Sequence, residues 1–234
     1  MNQYHQEILD QIKKAENKNK SSQDSSNYSG TTHYSYGLTI PELRKIIKNW
    51  SKENKNISFN EFVELLNSLF DGNSKQEKKA PGHLFGIFTL YRSKINSELL
   101  NKWTSKLQGW EEVDSLCQSV FNANNLLENW SEWEKTIIKL SNSPKLEQKR
   151  ASLVLLTGPV RQSNDKKLSN LAFQNIDILK KEKDILITKA ISWLLRELVK
   201  HHKQEVEYYL NKNLELLPKI AIRETKNKLM KGKK

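Results

Sequence analysis

Trp110 and Asp114 stand four residues apart in the run Gly109-Trp110-Glu111-Glu112-Val113-Asp114. On a helix, positions i and i+4 project from one face, which sets an indole plate beside a carboxylate. In a chain of formal net charge +12, most of the surface favours anions, and this spot does the opposite. It would repel a phosphate but hold a cation, or a sugar that becomes cationic during reaction. The chemistry indicated is cleavage of a bond whose transition state carries positive charge, on a nucleic-acid substrate.

Lys189, Trp193 and Arg196 form a second group, at i, i+4 and i+7 of the run Lys189-Ala190-Ile191-Ser192-Trp193-Leu194-Leu195-Arg196-Glu197. A tryptophan between two cations suits a surface that touches a polyanion and offers a plate to a sugar or base. The other reading makes Trp193 a core residue. Arginine is scarce, six against 33 lysines (39 basic residues less six). Lysine serves general basicity, so the few arginines point to places that need a planar, multi-donor fork. Arg150, beside Lys149, would clamp a phosphate at a groove, or form a salt bridge between neighbouring helices.

Helices must position these groups, because the apolar periodicity is helical almost from end to end. Ile8, Ile12 and Ala15 share one face. Leu43, Ile46, Ile47 and Trp50 follow Pro41, with Thr39 as cap. Ser58 opens a third helix through Leu69. Further patterns cover 75–94, 96–108, 112–127, 130–141, 144–158, 166–180, 183–201, 203–212 and 217–230, and no alternating strand appears. Pairs of helices at a period of about 40 residues predict an all-α fold of HEAT-like antiparallel repeats. About 11 to 13 helices in a curved α-solenoid would carry Trp110, Asp114, Arg150 and Trp193 on a concave, DNA-binding side. A compact helical bundle is the alternative. Residues 19–36 break the rhythm and predict a flexible polar loop. Tyr28, Tyr34 and Tyr36 lie inside it, where packing is favoured over stacking on a nucleotide.

Bulk properties bound the function. The 234 residues predict one helical-repeat domain, 1–234, or at most two small ones, with a basic tail at 231–234. The basic excess points to a polyanionic partner. The single cysteine, Cys117, leaves no internal disulfide or cysteine-based metal site, and its apolar neighbours suit a buried thiol. His201 and His202 are adjacent and lack further ligands, so no metal and no organic cofactor are expected. The polar start and the absence of a long apolar run predict a soluble, cytoplasmic protein away from membranes.

The order of four motifs resembles the AlkD-like DNA alkylation repair enzymes, DNA glycosylases built from HEAT-like repeats. The motifs are Tyr36-Gly37-Leu38-Thr39-Ile40-Pro41-Glu42-Leu43-Arg44, Trp110-x-x-Val113-Asp114, Lys149-Arg150-Ala151 and the run Lys189 to Glu197, with Arg223-Glu224 last. The resemblance implies that Asp114 is the catalytic aspartate. It places Trp110 and Trp193 beside the lesion's deoxyribose and Arg150 in the active-site groove, with Lys149, Lys189 and Arg196 nearby as DNA-binding cations. It implies excision of positively charged N3- and N7-alkylated purines from double-stranded DNA by a monomer in base excision repair, without obligatory flipping of the base. The sequence departs from the pattern at Gly109, where an aromatic is common, and in the Ser-rich segment 19–36. Two alternatives stand beside this reading: Asp114 as a helix N-cap, and a non-catalytic helical-repeat nucleic-acid-binding protein.

Overall fold

The computed structural model describes residues 1–23 and 30–232, and is helical but for one short ribbon. The chain divides into two compact units, Met1–Val120 and Phe121–Lys234. Among the described residues, no helix is long and apolar enough to cross a membrane.

The first unit contains α1 (Gln3–Lys14), α2 (Ile40–Glu53), α3 (Phe59–Phe70), α4 (Lys75–Ile87), α5 (Ser97–Thr104) and α6 (Gly109–Cys117). Local chemistry sets the starts. Thr39, Ser58 and Ser74 each accept from the backbone three residues on, and Glu42, Glu61 and Glu77 reach back, closing three capping boxes. One apolar face of each helix meets a shared core that includes Ile8, Ile47, Trp50, Phe62, Phe85 and Trp103, all buried. Helix α4 is central and packs on α2, α3 and α6.

The buried start of α4 is held by polar pairing. His5 Nε2 lies 2.8 Å from Glu77 Oε1, and His5 Nδ1 lies 2.8 Å from Ser68 Oγ, tying α1 to α3 and α4. Burial alone would raise the Glu77 carboxyl, but hydrogen bonds from His5 and Ser74 outweigh it and hold it below the usual carboxylate range. The pattern over 75–94 is not one helix. Phe88 leaves helical geometry at φ −87°, ψ 57°, and Thr89–Lys94 continues as a 3-10 turn.

The segment 19–36 departs from the expectation of an unstructured loop in the part described. Ser22–Gln23 (β1) pairs antiparallel with Tyr34–Ser35 (β2), strands too short to leave an alternating signature in sequence. Tyr34 and Tyr36 meet edge to face at 5.0 Å, and Tyr34 N–H donates to the Asn73 carbonyl at 3.2 Å, but the Tyr34 ring remains exposed while Tyr36 is half-buried. Tyr28 lies outside the described residues, as do the last two residues of the basic tail.

The second unit contains α7 (Ala123–Glu128), α8 (Trp130–Ser141), α9 (Leu146–Gln162), α10 (Lys166–Leu179), α11 (Ile185–Lys212) and α12 (Lys219–Lys231). Helix α9 is its axis, packed on α7, α8, α10 and α11. Every residue from Arg150 to Val160 is buried. That burial carries the helix past Pro159, where the sequence pattern ends it at 158; an interior proline costs about 3 kcal/mol when nothing offsets it. The pattern over 112–127 also divides, because Asn122 caps α7 by accepting from Asn125 N–H and opens a new helix there. Within α11, His202 sits at φ −129°, ψ 37°, a kink that falls where the sequence separates 183–201 from 203–212.

Candidate active site

Helix α6 begins on Gly109, whose φ of 66° lies in the left-handed region open to glycine at no steric cost. An aromatic side chain there would be strained, which accounts for the glycine in this motif. Gln108 is the N-cap and donates its N–H to Glu112 at 2.8 Å. Asp114 lies well inside the helix, which removes the N-cap reading of that residue.

Glu112, between the indole and the carboxylate in sequence, is fully buried. Its carboxylate accepts from the Thr31 hydroxyl at 2.9 Å and from His33 Nδ1 at 2.8 Å, while the Gln108 side-chain oxygen accepts from Thr32 N–H at 3.0 Å. The polar segment ahead of α2 is therefore clasped to the first turns of α6. Sequence reading missed this role of Glu112, because its partners lie about eighty residues away.

The other face of α6 meets α4 at Gly82. A β-carbon on Gly82 would fall 2.2 Å from the Ser115 carbonyl oxygen, so only glycine permits this approach. Ser115 Oγ donates to the Lys79 carbonyl at 3.0 Å and locks the crossing. Trp110 and Asp114, both half-buried, line a pocket of about 510 Å3 together with Arg44, Lys79, His83 and Glu111. Lys79 Nζ lies 2.9 Å from Glu111 Oε2, so that acid is met by a cation from α4.

His83 is the pocket's least conventional group. Its Nε2 is buried and has no hydrogen-bond partner among the described residues. Burial, with Arg44 and Lys79 adding to it, pushes its pKa down from 6.5 to about 4, so the imidazole is neutral near pH 7. A neutral imidazole orients a water or a substrate edge without adding repulsion toward a cation. Arg44 belonged to a recognised motif, whereas His83 and Lys79 gave no pattern of their own.

In the second unit the sequence-derived residues are more engaged than their charges suggest. Arg150 is buried, and its guanidinium donates to the Leu186 carbonyl on α11. Lys149 pairs with Glu182. Trp193 is half-buried and donates from Nε1 to Glu197 Oε1 at 2.9 Å. Arg196 Nε lies 3.3 Å from Glu224 Oε2 on α12, which also accepts from Ser192 Oγ at 2.6 Å. The cation C-terminal to the indole thus serves the α11–α12 contact, while Lys189 is exposed.

Fold and pocket define an all-α protein in which an indole–carboxylate pair sits among basic side chains. The family model for DNA alkylation repair enzymes matches residues 8–229, so the chain belongs to that family. Membership supports a role in the repair of alkylated DNA. Among solved structures, the chain is similar to one described as a predicted DNA alkylation repair enzyme from Enterococcus faecalis. The match has a TM-score of 0.66 at 18% identity, covering 85% of this chain and 90% of the other. At that identity the likeness is one of fold. A comparison with curated proteins gives no significant match.

Proposed function

We propose that the chain is a monofunctional DNA glycosylase that hydrolyses the N-glycosidic bond of N3- and N7-alkylated purines in duplex DNA. An alkylated purine carries a formal positive charge and leaves without strong protonation. The barrier then lies in the positive charge that grows on the deoxyribose. Asp114 stabilises that charge and orients or deprotonates the attacking water. The Trp110 face favours the cationic sugar through its quadrupole. Trp193 and Arg150 enter the proposal through the family resemblance, as a second indole beside the sugar and a DNA-facing guanidinium.

The observation that supports the reading is the sharing of one pocket by Asp114 and Trp110, with a neutral imidazole and cations around them. A carboxylate so placed meets the sugar, while the cations suit the phosphates that flank it. The deciding experiment incubates the protein with randomly methylated duplex DNA and separates the released bases. Release of methylated purines, leaving abasic sites, is the expected result. Binding to the same duplex without release of any base would assign the chain to non-catalytic recognition.

A further inference from the structure

Glu112 stands between Trp110 and Asp114 on α6, and its fully buried carboxylate is met by a segment that belongs to no helix. His33 takes part twice. Its Nδ1 lies 2.8 Å from Glu112 Oε1, and its N–H donates at 3.1 Å to the Thr31 hydroxyl that donates to the same carboxylate. Thr32 N–H and Oγ1 both donate to Gln108 Oε1 at 3.0 Å, so three consecutive residues hold the first turns of α6. The residues that follow hold a different helix. Tyr34 N–H donates to the Asn73 carbonyl just ahead of α4, and Tyr36 N–H donates at 3.0 Å to Gln76 Oε1 in its first turn.

Gly37 then turns the chain at φ 72°, where a β-carbon would stand 2.7 Å from the Asn17 carbonyl oxygen. Leu38, Thr39 and Ile40 come next and line the pocket that holds Trp110 and Asp114. Residues 31–37 thus run as a brace from α6 to α4, the two helices that bring Lys79, His83, Trp110 and Asp114 to one pocket. Gly82, Lys79 and Ser115 already hold the α4 side of α6. The clasp at Glu112 grips the helix from a second side, and two grips fix its rotation where one leaves it free to turn. Side chains reach about 5–6 Å from a helix axis, so a turn of about 10° displaces an indole or a carboxylate by about 1 Å. A misplacement of about 1 Å costs up to about 10²-fold in rate.

We infer that His33 is a positioning residue of the Trp110–Asp114 pocket: through Glu112 it sets the rotation of α6, and so the placing of the indole and the carboxylate against the side chains of α4. His33 acts through the helix rather than on the substrate. The inference rests on the proposed function in taking base release as the reaction that is positioned.

The test measures single-turnover excision from methylated duplex, duplex affinity and urea unfolding, with rates read well below each unfolding transition. His33→Ala should slow excision by about 10- to 10²-fold at unchanged duplex affinity. His33→Asn places an amide N–H near the position of Nδ1 and should recover most of the rate. Thr31→Val removes the second donor at nearly equal volume and should fall between wild type and His33→Ala. Tyr209→Phe, which removes a 2.8 Å bond to Asp177 in the second unit, should lose stability at the wild-type rate. A wild-type rate in His33→Ala or in Thr31→Val, an Asn variant as slow as the Ala variant, or a loss of rate that Tyr209→Phe shares overturns the inference. Hydrogen exchange separates it from the proposed function. In His33→Ala, peptides covering 79–87 and 109–117 should exchange faster than in wild type, whether or not any base is released. Faster exchange in a protein whose wild type releases no base sinks the glycosylase reading alone, and unchanged exchange sinks the brace alone.

Discussion

Gly82 on α4 lies against Ser115 on α6 so closely that a β-carbon at residue 82 would stand 2.2 Å from the Ser115 carbonyl oxygen. Ser115 directly follows Asp114, so this crossing sets where the carboxylate sits relative to Lys79 and His83. Gly82→Ala should push the two helices apart and lower stability by about 1–3 kcal/mol, the usual range for overpacking. Base release from methylated duplex should fall with it. Urea unfolding and the excision assay check both, and a Gly82→Ala protein of wild-type stability and activity would contradict the assignment.

Asp114→Asn retains size and removes the charge that faces the developing sugar cation. Excision should fall by about 10²-fold or more, as on loss of comparable transition-state partners. Trp110→Ala should cost less, about 0.5–2 kcal/mol. Duplex affinity of the Asn variant should hold or tighten, since an anion near the phosphates has gone. Single-turnover rates separate the two effects, and normal excision by Asp114→Asn would remove the carboxylate from the mechanism.

His83 carries a pH signature. Its folded value of about 4 lies below the 6.5 of an unfolded histidine, through burial first and then Arg44 and Lys79. Between those values the unfolded chain binds more protons, so its contribution to stability is complete above pH 6.5 and is lost as pH falls toward 4. Arg44 on α2, Lys79 on α4 and the acids Glu111 and Asp114 on α6 line the pocket around it. Denaturant melts at pH 7 and pH 5 should show a larger acid loss in wild type than in His83→Gln. Equal losses would count against a depressed imidazole.

The clasp at Glu112 predicts a structural phenotype. Glu112→Ala leaves Thr31, His33 and the Gln108 N–H without their acceptor, and breaking a buried pair of this kind costs about 3–5 kcal/mol. Thermal unfolding should register the loss, and amide exchange at Thr32 should quicken. Unchanged exchange at that amide would mean that the segment is held by other contacts.

Arg150 tests how a buried cation divides its duties. Its guanidinium serves the Leu186 carbonyl, so Arg150→Ala should lower stability by about 1–3 kcal/mol through an unmet acceptor. If it also faces DNA, affinity for duplex measured below the unfolding transition should fall as well. Lost stability with unaltered affinity would restrict Arg150 to the α9–α11 contact.

The sequence was most legible where periodicity is long. The break of α11 at His202 and the capped starts at Thr39 and Ser58 follow from spacing and cap chemistry, whereas α6 starts at Gly109, three residues ahead of the spaced pattern of 112–127 and without a side-chain cap. Legibility failed where tertiary contacts decide. Pro159 looks like a stop until the burial of α9 is known. Arg196 reads as a DNA-facing cation because Glu224 is 28 residues away, and charge alone does not announce its partner. His83 and Lys79 have no local motif. They matter because glycine at 82 brings their helix against the one that bears Asp114.

Cys117, three residues beyond Asp114 on the same helix, is 2% exposed. Agents that alkylate purines are electrophiles, and in proteins the accessible thiolate is among the nucleophiles they consume. This chain's one thiol is enclosed by its own core. That thiol is thereby shielded from the reagents that create the proposed substrate.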